Sequence, residues 1–409
     1  MDKLRLFLFA SLCALLAGCA SAPVQTLGPA AVLHDELFKP PSAHIETESE
    51  IFAASPAMQN WLATNFSRLH RTDGDPRQAL VDALSSMREL RIDYDATYTR
   101  DAAEAFDARS GNCLSLVVMT AALARELNMP VQFQKVYIED SLSRDGDLLF
   151  MAGHVNLTLS RARDAFVFRF TPSNDDLMVD FVPPSQLKGA HVREIDARTV
   201  AAMFLNNRAA EALDSGRIDD AYWWARAALI EDPHYTGAYN TLGVVYRRHG
   251  DLAVSEASLR RVLAAEPDSL AALGNLALVL RLQGRTTEAQ ALDVRMHAIQ
   301  PYPPFHFFDL GVAAMKAHDY QLARNMFRKE ISREAFYHEF HFWLALADYG
   351  LGDFDDAREQ IQLALENSPT SKTHALYAAK LDWLNAHGAN DAQNIIRTSM
   401  QRDGLPRGQ

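Results

Sequence analysis

Cysteine is scarce in this chain: Cys13, Cys19 and Cys113 are the three in 409 residues. That number is too small for a disulfide-framed scaffold. Positive charge is short as well, with 40 Lys and Arg against 52 Asp and Glu and a net charge of −12. Phosphate backbones are bound by a positive field, and no basic run supplies one, so a broad nucleic-acid surface is set aside. Glycine-rich phosphate loops and dinucleotide fingerprints are also missing. What is present is ordinary for a folded protein: 48% hydrophobic and 22% charged residues. The length exceeds what one compact core usually organises and points to two or three domains.

The N-terminus carries a targeting pattern. Lys3 and Arg5 precede an apolar stretch from Leu6 to Leu16, shorter than the roughly 20 residues that span a bilayer but suited to a secretory signal. Leu16-Ala17-Gly18-Cys19 follows and resembles the lipobox of bacterial lipoproteins. The resemblance implies removal of residues 1–18, lipidation of Cys19 and a lipid-anchored N-terminus. Ala20 stands where an aspartate would imply inner-membrane retention, so the expected location is the outer membrane, facing the periplasm. With Cys13 removed and Cys19 acylated, Cys113 has no disulfide partner in a compartment that forms disulfides readily. A lone thiol there is either buried or used.

Residues 19–50 hold Pro23, Pro29, Pro40 and Pro41 without sustained periodicity and read as a tether. Ser55-Pro56 and Asp75-Pro76 each offer a cap and a first-turn proline ahead of helical apolar spacing. From Leu114 to Leu127 the chain is apolar on nearly every side of a helix, which predicts a buried central one. Asn128 and Pro130 stop it, leaving Cys113 in its first turn. Strand patterns follow at Val131–Ile138, Val155–Leu159, Phe166–Phe170 and Leu177–Val182. A buried helix followed by strands predicts an α+β domain with an antiparallel sheet, spanning 51–195 with its N-terminal helices.

Strand signals vanish beyond about residue 200. Pro233, Pro267 and Pro301 recur at one even spacing, and the same step reaches Ala335 and Pro369. In this register Tyr239, Leu242, Gly243, Tyr246, Leu259 and Pro267 resemble the signature of tetratricopeptide repeats, whose period the spacing matches. The small residue of the second helix is Ala221, Ala289, Ala323 and Ala357, with Ser255 in the remaining copy. His318 replaces the inter-helix glycine of the fourth copy. The resemblance implies an all-α solenoid over 196–402, five repeats and a pair of capping helices.

Three short motifs then stand out between residues 94 and 184: Gly111-Asn112-Cys113 opening a core helix, Gly153-His154-Val155 opening a strand, and Val179-Asp180-Phe181 on a later strand. In this order they resemble the transglutaminase-like superfamily, a papain-like group of cysteine enzymes, and imply a triad of Cys113, His154 and Asp180. Asn156 departs from the aromatic residue often found at that place. The separation of Asp180 from His154 exceeds the usual hairpin, so Asp164, Asp175 and Asp176 stay open as third members. The residues make a physical case of their own. Thiolate is the attacking species, and a helix N-terminus and a nearby imidazole both favour it, while a carboxylate orients the imidazole. The competing readings are a buried structural cysteine and a histidine on a solvated strand face. An unpaired Asp180 beside Met178 and Val182 would cost on the order of ~3 kcal/mol, so a partner is expected for it.

Other clusters read as structural. His338-Glu339-Phe340-His341 lacks the spacing of a zinc helix, and no metal or cofactor is expected. Phe305-His306-Phe307-Phe308 reads as packing between repeats. Asn206 and Asn240, and Arg247 and Arg281, are each separated by one full repeat and form a candidate peptide-binding ladder along the groove of the repeats; the alternative is solvated helix surface. The sequence thus predicts an envelope-anchored cysteine peptidase, amidase or acyltransferase with a repeat arm for a protein or peptide partner. The other reading is a non-catalytic scaffold lipoprotein of an envelope assembly. Cutting after about residue 195 is expected to leave a folded domain with thiol reactivity.

Overall fold

The computed structural model describes residues 29–69, 75–85, 92–95, 98–137, 142–145, 148–151, 154–160, 176–181, 191–302, 305–368 and 371–387. The signal segment, Cys19, the expected strand at 166–170 and the last capping helix lie outside these residues. The chain divides into two compact units, 1–33 and 34–409. The first contributes a single described 3-10 turn, Pro29–Val32.

The second unit opens on a 3-10 turn at Asp35–Leu37 and helix α1 (Glu48–Ile51). Helices α2 (Pro56–Leu69) and α3 (Pro76–Ser85) begin at the two prolines, where the missing N–H costs nothing. Strand β1 (Asp93–Tyr94) and helix α4 (Ala102–Ala108) precede β2 (Ser110–Gly111), which pairs parallel with β1. Helix α5 (Cys113–Glu126) is buried at every residue from Leu114 to Ala124, as its all-round apolarity requires. It ends near Asn128, whose positive φ of 56° the amide side chain tolerates.

Strands β3 (Val131–Tyr137), β4 (Leu142–Asp145), β5 (Leu148–Met151), β6 (His154–Leu159), β7 (Leu177–Val179) and β8 (His191–Ile195) follow. Four form an antiparallel sheet in the order β7-β6-β3-β8, against which α5 packs through β6 and β3. Sequence periodicity carried no sign of the edge strand β8, whose residues are mostly exposed, or of the separate β4–β5 pair.

Paired helices occupy the rest of the chain: α6 (Ala197–Asp214) with α7 (Ile218–Glu231), α8 (Thr236–His249) with α9 (Leu252–Ala265), and α10 (Leu270–Leu282) with α11 (Thr286–Ile299). Then come α12 (His306–Lys316) with α13 (Tyr320–Arg333), α14 (His338–Leu351) with α15 (Phe354–Glu366), and α16 (Ser371–His387). Their packing follows the sequence repeat. At Gly243 an added Cβ would lie 2.6 Å from Leu259, so the two helices of that repeat touch. Ser255 fills the usual alanine place because its hydroxyl donates to the Gly243 carbonyl at 2.5 Å, satisfying a polar atom in a fully buried position. The turns at Gly216, Gly250, Gly284 and Gly352 all have positive φ, and His318 adopts φ 60° at the matching point of the fourth repeat. Phe305, Phe308, Phe327 and Phe340 form an aromatic cluster between the last repeats, as the sequence implied.

The structure gives part of the expected tether a different role. Phe38 stacks on Tyr222 with ring centres 3.9 Å apart, and the Asp35 carboxylate accepts from Tyr222 Oη at 2.6 Å and Arg226 Nε at 2.7 Å. Ser42 donates to Asp220 through its N–H and its hydroxyl, at 2.8 and 2.7 Å. Residues 35–42 are therefore a strap seated on the first repeat rather than free chain. Proline content and missing periodicity mark irregular backbone, and docked and free irregular backbone share that signature.

Candidate active site

Cys113 is placed by the stretch before it. Arg109 closes α4 in the left-handed conformation, and Ser110 and Gly111 pair with Asp93 and Tyr94. Gly111 is buried, and an added Cβ would lie 2.6 Å from the Ser115 Cβ, so a larger residue would push the strand off the helix. Asn112 then caps α5: its Oδ1 accepts the Ser115 N–H at 2.9 Å. Its Nδ2 donates to the Thr99 hydroxyl at 2.8 Å. Cys113 is the first residue of the helix, a free thiol at partial exposure. This half-open position contrasts with the closed helix behind it.

His154 opens β6 and is 7% exposed. Its Nε2 lies 2.7 Å from Asp180 Oδ1, and the Cys113 thiol is near enough to act on its protonation. Burial by itself lowers the affinity of an imidazole for its proton. Here the interactions with Asp180 and Cys113, and the charges of both, outweigh burial and raise the His154 pKa to about 9. Asp180 reaches the imidazole across a long gap in the chain because β7 pairs antiparallel with β6, with Leu157 opposite Val179. One step further along that register sets Asp180 beside Asn156. Among the described residues the carboxylate at hydrogen-bond distance from His154 is thus that of Asp180. Asp176 is exposed at the other end of β7, and Asp164 and Asp175 lie outside the described residues.

Asn156 matters more than the sequence suggested. Its Nδ2 donates to Asp180 Oδ2 at 2.8 Å, so the two carboxylate oxygens have separate partners. The sequence carried a signal for this, since Asn156 is two positions from His154 and shares its strand face. All of β6 is buried, so this polar face is enclosed rather than solvated. Tyr94 is a second residue the sequence did not single out. It is 41% exposed as a whole, and its pairing with Gly111 brings its hydroxyl near Cys113. Burial of that hydroxyl, and then the charge of Cys113, push its pKa up.

The other predicted positions are dispersed. Asn240 Oδ1 accepts from Asn275 Nδ2 at 3.0 Å, and Arg281 forms an ion pair with Asp293. Asn206 and Arg247 are half-buried. Strand β5 lies against α8 and α10, so side chains expected to form an open ladder sit in a region the chain itself partly covers. His338 meets Tyr377 Oη at 2.6 Å, and burial lowers its pKa to about 4. His341 lies instead between Gln360 and the Ala335 carbonyl, each at 2.8 Å. Among the described residues no group of three His, Cys, Asp or Glu side chains is arranged to hold a metal ion, and no helix is long and apolar enough to cross a membrane.

Residues 240–296 and 308–372 match the tetratricopeptide repeat family. No curated protein matches the chain. Solved structures similar to it include MamA, at 20% identity and a TM-score of 0.24, covering 42% of this chain and 93% of that one. A tetratricopeptide-repeat protein of Thermus thermophilus, TTC0263, is 19% identical with a TM-score of 0.28, covering 44% of this chain and 98% of that one. Pseudomonas aeruginosa pilF is 18% identical with a TM-score of 0.26, covering 50% of this chain and all of the other. The C-terminal region of the present chain is a tetratricopeptide-repeat array, a type of scaffold that binds proteins or peptides.

Proposed function

We propose that the chain is a transglutaminase-like cysteine enzyme acting on a peptide or protein amide, with its repeats engaging a protein partner. The observation that carries this reading is the His154 imidazole, bonded to Asp180 at 2.7 Å on Nε2, with the Cys113 thiol near enough to act on its protonation. A merely structural cysteine has no need of an oriented histidine and a two-point-held carboxylate.

The chemistry follows from those contacts. In this scheme His154 takes the Cys113 thiol proton, and the thiolate attacks the amide carbonyl to give a tetrahedral oxyanion. On this reading the backbone N–H of Cys113, at the start of α5, is a donor available to that oxyanion. The His154 imidazolium then passes its proton to the leaving amine as the C–N bond breaks, leaving a thioester. Water or a second amine attacks the thioester, His154 takes the proton of the attacking group, and the thiolate leaves. Asp180 holds the ring and stabilises its cation throughout. Neither cofactor nor metal enters these steps.

The reading extends to the envelope: the lipobox resemblance at Cys19 supports a lipid-anchored protein facing the periplasm. The second reading, a repeat scaffold without catalysis, is favoured by the family match itself, which lies wholly in the repeats. The two are separated by the rate of iodoacetamide alkylation of Cys113 between pH 5 and 9. The enzyme reading expects fast alkylation well below the range of an ordinary thiol, pKa about 8.5, and its loss in His154→Ala. Equal profiles for the two proteins, rising only near that range, would support the scaffold.

A further inference from the structure

The repeat array and the nucleophile are joined through one extended segment. Thr99 is 1% exposed and lies between α4 and the first repeat. Its N–H donates to Glu211 Oε1 at 2.7 Å, and its carbonyl accepts from Arg208 Nη1 at 3.0 Å; both partners are on α6. The Arg208 guanidinium is itself held over the Tyr98 ring at 4.0 Å and the Trp224 ring at 5.0 Å. Burial of Glu211 raises its pKa, and the Thr99 hydrogen bonds and Arg208 work against that rise. Two half-buried side chains, Arg208 and Glu211, thus grip both backbone groups of one residue. The hydroxyl of that residue receives the Asn112 Nδ2, and Asn112 caps the helix that begins with Cys113. The next residue, Arg100, donates its N–H to the Ser115 hydroxyl at 2.8 Å, a second tie to the same helical turn.

We infer that the first repeat is part of the housing of the nucleophile, with Arg208 and Glu211 acting as positioning residues that fix Cys113 through Thr99 and Asn112. The inference rests on the catalytic reading of Cys113 and deepens it, because it makes the state of the repeats a determinant of thiol reactivity. The physical reason lies in Asn112. The Thr99 bond to its amide nitrogen fixes the amide plane with the carbonyl oxygen on the Ser115 N–H, and losing that bond frees the amide to rotate. A lost cap frays the first turn, and Cys113 is the first residue of that turn. A displacement of about 1 Å between nucleophile and base costs on the order of 100-fold in rate. A partner that distorts α6 would act on the thiol by this route.

The test uses the full chain with Thr99→Val, Thr99→Ser, Glu211→Ala and Glu211→Gln, each read in two ways. Amide hydrogen exchange at Ser115 reports the cap, and the pH profile of Cys113 alkylation reports the thiol. Thr99→Val and Glu211→Ala are expected to speed Ser115 exchange about tenfold while Met119, in mid-helix, is unchanged. They also slow alkylation at pH 7 about tenfold, and Thr99→Ser and Glu211→Gln recover most of both losses. Unchanged exchange and alkylation in folded Thr99→Val and Glu211→Ala would overturn the inference, as would a uniform rise in exchange along α5. Should those variants fail to fold, the milder Arg208→Lys replaces them. It releases the Thr99 carbonyl, and Ser115 exchange at the wild-type rate in it would also overturn the inference. His154→Ala, run alongside, separates the two claims. If it leaves alkylation untouched, the catalytic reading fails, and Ser115 exchange still decides whether α6 holds the cap.

Discussion

The repeats and the α+β region solve the same problem, burying a helix, in opposite ways. In the repeats each solution is used again in copy after copy. The glycine turn recurs at Gly216, Gly250, Gly284 and Gly352, and the array accepts His318 at the same positive φ. It accepts Ser255 for alanine through one added hydrogen bond. In the α+β region every device occurs once: Gly111 under Ser115, Asn112 on Thr99, Asn156 on Asp180. Repetition makes a region legible and tolerant, because contacts are local and damage stays near its source. Single use makes a region chemically specific and intolerant.

The largest expected effect tests the locality of the repeats. Phe327 is fully buried among Phe308 and Trp343. Phe327→Ala should cost about 3–5 kcal/mol in the fourth and fifth repeats. Chemical denaturation followed by tryptophan fluorescence measures this, and Cys113 alkylation in the folded variant should match wild type. A loss of alkylation would show that the far repeats are coupled to the thiol, and the contrast between local and single-use contacts would break.

A smaller effect should come from the other region with a larger consequence for chemistry. Asn156→Leu removes the hydrogen bond that Asn156 donates to the Asp180 carboxylate. The expected cost is about 1–3 kcal/mol in denaturant unfolding, with slower alkylation of Cys113 because the imidazole loses a fixed partner. Wild-type alkylation in this variant would reduce Asn156 to a buried structural amide.

The same contrast explains what the sequence disclosed. Helix starts at Pro56, Pro76 and Asn112 follow from local backbone chemistry, and the repeats from their period. Cys113 and His154 are visible because a thiol at a helix start and a histidine at a strand start have local signatures. Asp180 is ambiguous in the sequence, since the pairing of β7 with β6 cannot be read across residues 161–175. The clamp of Glu211 on Thr99, joining positions far apart in the chain, leaves no local trace at all. Neither does the seating of Phe38 on Tyr222. Both join segments whose own sequences look like an exposed helix face and an irregular linker. Asn156 reads in the sequence as a departure from the family pattern, because its value lies in a carboxylate on a neighbouring strand.

The central claim is that His154 stands charged between Cys113 and Asp180, and the titration of its ring tests this most directly. Its folded pKa of about 9 lies above the unfolded value near 6.5. The protonated ring therefore adds stability that is fully present below about pH 6.5 and is lost as pH rises through about 9, on the order of ~3 kcal/mol in all. Nitrogen-15 chemical shifts of the His154 imidazole, followed from pH 5 to 10, should show both nitrogens protonated through neutrality, with the transition near pH 9. The transition should fall sharply in Asp180→Asn. A ring that titrates near 6.5, or stays neutral across the range, would contradict the account.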